Sequence, residues 1–410
     1  MNTNTTRTWS WQIVLLAAAG AFALTMGVRQ TMGLFIGPLN TATGLGLASI
    51  SLAFAFGQLF WGLTQPFAGA VADRVGAGRV LLAGLLLVAA GTALTPYMTS
   101  TAGLIFAIGV LAAGGAGMAG PAVLMAATTR MVAPDKRGIA TGVVNAGGSF
   151  GQFLLAPVAA ALMTALGWID AMQLMALLVL IALPAAWVLK GGSAAAASTA
   201  AGSKPAAPRP AKVVLREAFA TRNFQLLFAG FFVCGFHVAF LATHLPGVVE
   251  SCGLSTQWAG WALAILGAFN IAGSLAIGWA VGRWRMKSLL SLIYAARALA
   301  VLVFLLAPKT GPVLLVFAAV MGLTFLSTVP PTAGLVAKFF GPANMALLFG
   351  MVMLSHQVGG FLGAWVGGKV FESTGSFTGV WIIDILLAVG AALIHLPIKE
   401  AAPAARLAPA

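Results

Sequence analysis

The sequence predicts an all-α membrane protein of about twelve spanning helices, and three observations predict it. Of 410 residues, 60% are hydrophobic and 7% are charged, a balance that no wholly water-exposed surface tolerates. The apolar residues gather into twelve runs that each meet the ~20 residues a spanning helix needs. The runs form two sets of six about a polar interruption and carry an internal repeat offset by about 209 residues, which implies two pseudo-symmetric six-helix bundles.

In chain order, the first ten residues are polar. The run at roughly 11–37 is too long for a signal-peptide core and reads as a retained first span. Five more follow at roughly 50–72, 79–98, 102–128, 138–163 and 167–189, completing a first bundle over residues 1–190. Residues 191–222 are rich in Ala, Pro, Ser and Gly, with Lys204, Pro205, Pro208, Arg209, Pro210, Lys212 and Arg216. Such a stretch cannot bury apolar area, so a cytoplasmic linker is expected, with a short amphipathic helix near 212–219. The second bundle, 223–410, takes the runs at roughly 223–248, 257–281, 287–307, 311–337, 344–370 and 376–398.

The net charge of +14 is explained by its distribution. With both termini inside, 18 of the 22 Lys and Arg fall in inner loops and ends, against Lys309 and Lys369 outside. A nucleic-acid partner would need a basic face on a soluble domain, and none is encoded. A multi-pass protein of the cytoplasmic (inner) membrane with both termini cytoplasmic is expected, as a monomer in the lipid bilayer. Cys234 and Cys252 suggest no disulfide framework. The four histidines lack metal-ligand spacing and no phosphate-binding Gly-rich loop occurs, so no enzyme, metal site or cofactor is expected.

The first inner loop concentrates charge between two apolar runs. Gly69, Asp73, Arg74, Gly76 and Arg79 form the pattern Gly-x-x-x-Asp-Arg-x-Gly-x-x-Arg, which suits a tight turn at a membrane surface. This pattern after the second run resembles the signature loop of the major facilitator superfamily. The resemblance implies a secondary transporter that alternates access to a central cavity, with this loop governing the conformational change. The repeat carries a degenerate copy in which Gly278 and Arg283 persist and Gly282 replaces the aspartate. Gly142 and Gly151 align with Gly350 and Gly359, and glycines so placed let helices approach closely.

Two arginines, Arg29 and Arg297, fall inside apolar runs, where a cation costs ~2.5–3.5 kcal/mol and demands a partner. Asp384 is the one comparably deep carboxylate, about 6 Å from Arg297 in depth at 1.5 Å per residue. A structural Arg297–Asp384 ion pair is expected, with substrate binding by Arg297 as the alternative. Arg29 has no such carboxylate and shares a helical face with Thr25. By the resemblance, the first helix lines the cavity, so an anionic substrate can supply the counter-charge to a guanidinium whose planar fork matches a carboxylate. The alternative is a snorkelling arginine, or one bonded to helix carbonyls. Asn145, His237, His244 and His356 complete the candidate substrate set, each weighed against a role as interhelical glue. Pro330-Pro331 marks a break in the tenth helix and a candidate gate.

Within the superfamily, Gly27 to Phe35, Gly114 to Met118 and Lys136 to Gly151 are most similar to monocarboxylate and oxalate/formate transporters. Those families carry a basic residue in the eighth helix, where this chain has Asn270 to Ser274. His356 stands where the oxalate carrier has lysine. The cargo expected is a small organic anion, a monocarboxylate first, moved by proton symport or by exchange. Efflux of lipophilic drugs is the rival reading, on the partial match of Gly147 to Gly151 with Pro157 to drug antiporters.

Overall fold

The computed structural model describes residues 9–133, 136–191, 210–341 and 345–400. The expected linker lies largely outside the described residues, at 192–209; its end, Ala211–Ala220, is the expected amphipathic helix, burying Val214 and Ala218.

Among the described residues, twelve helices are long and apolar enough to cross a membrane. They are α1 (Trp11–Thr43), α2 (Leu47–Val75), α3 (Ala77–Tyr97), α4 (Thr101–Met131), α5 (Ile139–Leu166) and α6 (Trp168–Val188) in the first bundle. The second holds α7 (Arg222–Ser251), α8 (Thr256–Val281), α9 (Met286–Leu306), α10 (Gly311–Phe340), α11 (Leu347–Thr374) and α12 (Thr378–His395). Both bundles use one packing scheme. α1 lies on α5 as α7 lies on α11, α2 on α4 as α8 on α10, and α3 on α6 as α9 on α12. The bundles join through two equivalent seams, α2 with α11 and α5 with α8. An even number of crossings returns both chain ends to one side, the terminal side.

Glycine explains why the symmetric pairs pack so closely. A Cβ on Gly151 would sit 1.9 Å from the Ala23 carbonyl oxygen, and one on Gly359 would sit 1.9 Å from that of Phe232. Backbone therefore lies on backbone where α1 meets α5 and α7 meets α11. Gly142 and Gly350 do not share this role, since each faces no atom within 4 Å. They lie nine residues nearer the terminal side, half a turn round the helix, and so face away from α1 and α7.

The same contrast shows which way the crevice between the bundles opens. On the far side, a Cβ on Gly33 would meet the carbonyl oxygens of Ala242 and Thr243 at 2.6 and 2.7 Å, and Gly46, Gly260 and Gly368 press on Glu372, Ala160 and Ser51. At the terminal ends of α2, α5, α8 and α11, Gly69, Gly142, Gly278 and Gly350 face open space. The bundles are thus sealed on the far side and parted on the terminal side.

The charged turn closes α2 and starts α3. Gly76, at φ +96°, holds a conformation that a side chain would strain. Asp73 pairs with Arg130 at the end of α4, tying two helices of one bundle together. In the degenerate copy Arg283 has lost its aspartate and lies 3.9 Å over the Trp279 ring.

Candidate functional site

Arg29 occupies the middle of α1, just before the helix tightens into a 3-10 turn over Met32–Phe35. It is half-buried and turned toward α2. One terminal nitrogen donates to the Gln58 side-chain oxygen, and the guanidinium lies 4.7 Å from the centre of the Trp61 ring. Both partners stabilise a cation without cancelling its charge. Among the described residues no carboxylate lies within ion-pairing distance of Arg29, which agrees with its isolation in the sequence.

Around the guanidinium is a cavity of about 30 Å³, bounded by α1, α2, α3, α4 and α7. Its polar lining is Arg29, Gln30, Gln58, Thr92 and Thr243. The Thr92 hydroxyl is fully buried and has no hydrogen-bond partner. Ile108, Ala112 and Ala113 form one wall, in a π-helical stretch of α4 over Ile105–Ala113. Its wider turns set this wall with small side chains, and such irregular turns recur at functional sites. Gln58 also touches Gly360 of α11, so the guanidinium stands beside a seam between the bundles.

The other expected substrate residues do not join this cavity. Thr25 is fully buried and its hydroxyl bonds back to the Ala21 and Phe22 carbonyls at 3.0 and 3.3 Å. Asn145 is exposed on α5, apart from the cavity lining. His244 donates from Nε2 to the Ala364 carbonyl of α11 at 2.7 Å and packs on Phe240 and Phe377. His356 packs its ring on Phe231 at 5.2 Å, inside the α7–α11 pair. His237, one face with His244, points into the second bundle, where Nε2 lies 3.1 Å from Oδ1 of Asp384. All three histidines make interhelical contacts within the second bundle, and His244 also lines a separate cavity of about 190 Å³ on the far side, between the bundles, with Gly37, Asn40 and Glu250.

That placement also corrects the expected Arg297–Asp384 pair, which is not in direct contact. Arg297 donates to the carbonyls of Thr324 and Phe325, the latter at 2.8 Å, where α10 is interrupted. The exposed carbonyls at the break compete for the guanidinium, and Asp384 is left facing His237. The α10 break falls at residues 325–328, immediately before Pro330-Pro331.

Gln30, Gln58, Trp61, Thr92 and Thr243 escaped the sequence reading. Gln58, a polar residue in the midst of an apolar run, carried the one usable signal.

A model of the Major Facilitator Superfamily matches residues 17–327 and 260–409. The chain is 24% identical to an uncharacterized MFS-type transporter, YcxA, of Bacillus subtilis, over 94% of each chain. It is 25% identical to monocarboxylate transporter 11 of Homo sapiens, covering 96% of this chain and 84% of that one. Monocarboxylate transporter 13 of Rattus norvegicus is 26% identical, with 95% and 89% covered. Among solved structures, a D-xylose-proton symporter aligns at a TM-score of 0.75 and 15% identity, over 95% of this chain and 98% of that one. A nucleoside transporter, NupG, aligns at 0.76 and 18%, over 95% and 100%. At these identities the solved structures establish the fold alone.

Proposed function

The chain belongs to the major facilitator superfamily, and on that premise we propose that it moves a small organic anion, a monocarboxylate first, across the cytoplasmic membrane. Arg29 carries this reading. A half-buried guanidinium in the middle of a spanning helix, with neutral partners only, calls for a mobile counter-charge. The buried, unmatched Thr92 hydroxyl beside it offers a further hydrogen bond to that anion. The monocarboxylate transporters among the relatives point to the same class of cargo.

The cavity of about 30 Å³ holds a water or two. The anion therefore enters as the bundles move apart from their seams, with 1–190 and 223–410 as the moving bodies. In this scheme the terminal side is cytoplasmic and the structure is open toward it. The working unit is a monomer. Symport with a proton and exchange of anions both fit this site. Lipophilic cations do not, because Arg29 would repel them.

Thermal-shift measurements on purified protein test the cargo. L-lactate, pyruvate and oxalate should raise the melting temperature, as ligands of the folded state do, while lipophilic cations and sugars should not. Arg29→Ala should weaken anion binding about tenfold or more with protein level unchanged, since hydrogen bonds to a charged group contribute ~1.5–3 kcal/mol. Anion transport at the wild-type rate in that variant would remove the reading.

A further inference from the structure

The second bundle holds a set of buried polar groups for which anion binding at Arg29 has no use. Asp384 on α12 is 0% exposed and His237 on α7 is 1% exposed, and Asp384 is the one buried carboxylate among the described residues. Nε2 and Oδ1 lie 3.1 Å apart without the alignment of a hydrogen bond, and all four polar atoms, Nδ1 and Nε2 of the imidazole and Oδ1 and Oδ2 of the carboxylate, are buried without a hydrogen-bond partner. A neutral imidazole has one ring nitrogen able to accept a proton, and a carboxylate accepts at either oxygen, so a proton between these facing atoms would satisfy groups that now have no partner. The pair therefore has room for one more proton.

The surroundings supply one cation. On α9, Arg297 is 1% exposed, lies 5.3 Å from the centre of the Tyr294 ring and leaves Nε and Nη1 unpartnered. The Tyr294 ring in turn lies 6.5 Å from that of His237, so Arg297 and the pair flank one aromatic side chain. Its donors hold the Thr324 and Phe325 carbonyls at the break in α10. From α7, the Cys234 thiol braces the same break, 3.0 Å from the Thr328 hydroxyl. The remaining titratable side chains of the cluster are Cys234 on α7, whose sulfur accepts from Arg297 at 3.9 Å, Tyr294 on α9, His356 on α11, and His395 on α12, which stacks on Tyr294 at 5.3 Å. Asp384 is the one carboxylate among them.

We propose that the His237–Asp384 pair is a proton-binding site of the second bundle and that Arg297 transmits its occupancy to the break in α10. With the additional proton the pair is neutral overall. Arg297 then has no carboxylate to turn to and rests on carbonyls at the end of a helical segment, which carry partial negative charge. This is the arrangement observed. When the proton leaves, Asp384 keeps a buried charge and Arg297 is the cation that can match it. Turning toward Asp384 withdraws the donors from Thr324 and Phe325 and frees the break to change shape. The step moves one proton and makes or breaks no bond between heavy atoms. Because both groups are sealed from solvent, the proton enters and leaves only as the bundle opens, which ties its binding to the transport cycle. The proposal does not depend on which anion Arg29 takes.

Infrared difference spectra of the full-length protein between about pH 5 and about pH 8 read the site without any substrate. A protonated-carboxyl stretch should titrate in the wild type, vanish in Asp384→Asn and shift in His237→Gln. An unchanged band in Asp384→Asn would overturn the assignment. In proteoliposomes, accumulation of L-lactate driven by an imposed pH gradient should fall tenfold or more in Asp384→Asn, while lactate-for-lactate exchange persists. Equal loss of both in Asp384→Asn and His237→Gln, with folded protein present, would count against a proton site. If the wild type moves no lactate, the infrared result still decides. For the transmission step, Arg297→Gln should raise the rate of backbone amide hydrogen exchange over residues 325–328 severalfold at fixed pH. An unchanged rate would separate Arg297 from the α10 break.

Discussion

The guanidinium of Arg29 shows how a single side chain can decide the chemistry of a largely apolar molecule. Its contacts are a glutamine oxygen and an indole face, which solvate a cation and leave its charge in place. Gln58→Glu tests this directly, because it puts a carboxylate where the neutral oxygen now accepts. The variant should fold as the wild type does and bind L-lactate at least about tenfold more weakly, since an internal ion pair would displace the anion. Undiminished lactate binding, measured by thermal shift, would show that Arg29 is not the anion's partner. Arg29 was legible from sequence because isolation of a cation is a property of composition along one run. Its partners were not, and neither was the separation of Arg297 from Asp384. Counting residues gives depth in the bilayer, while contact also needs the rotation of each helix about its axis. Depth placed Arg297 and Asp384 about 6 Å apart, within an arginine's reach, and rotation set Arg297 on the α10 carbonyls and Asp384 on His237.

At the scale of the helices, packing is set by where glycine lets one backbone lie on another. Gly151 and Gly359 occupy equivalent places in α5 and α11, and each leaves no room for a side chain. Gly142 and Gly350, nine residues earlier and half a turn round the same helices, face open space. Gly151→Leu or Gly359→Leu should therefore lower the amount of folded protein sharply, since overpacking typically costs ~1–3 kcal/mol even where side chains can adjust. Here the obstacle is backbone. Leucine at Gly142 should leave folded yield close to wild type, and size-exclusion chromatography of detergent-solubilised protein distinguishes the two cases. The irregular elements, the π-helical stretch of α4 and the interruption of α10, sit where the cavity and the buried cluster lie. Pro330-Pro331 announced the second in the sequence. The first has no residue signature, since a π turn follows from the fit of α4 to its neighbours rather than from helix-breaking residues.

For the whole molecule, the bundles are closed on the far side and parted on the terminal side. The far-side closure brings Gly37 of α1 against the Glu250 carboxylate of α7, with 3.0 Å between a Cβ built on the glycine and Oε2. Cysteines at Gly37 and Glu250, in a chain freed of Cys234 and Cys252, should be joined by a short thiosulfonate cross-linker. Lactate exchange should stop on cross-linking and return on reduction, since transport needs this side to open. Exchange that continues through the cross-link would rule out motion of one bundle against the other at this seam.

The sequence by itself determined the number and approximate extent of the spans and their division into two repeated sets of six, the grouping of basic residues in alternate loops, and the presence of a cation in α1 without a carboxylate to match. Bilayer thickness and the cost of burying charge act along the chain, so a linear reading captures them. Tertiary structure alone decided which groups meet: Arg29 with Gln58 and Trp61, His237 with Asp384, Arg297 with the α10 carbonyls. Those contacts depend on how each helix is turned against its neighbours. That rotation is a compromise among all the packed faces at once, and no single stretch of sequence contains it.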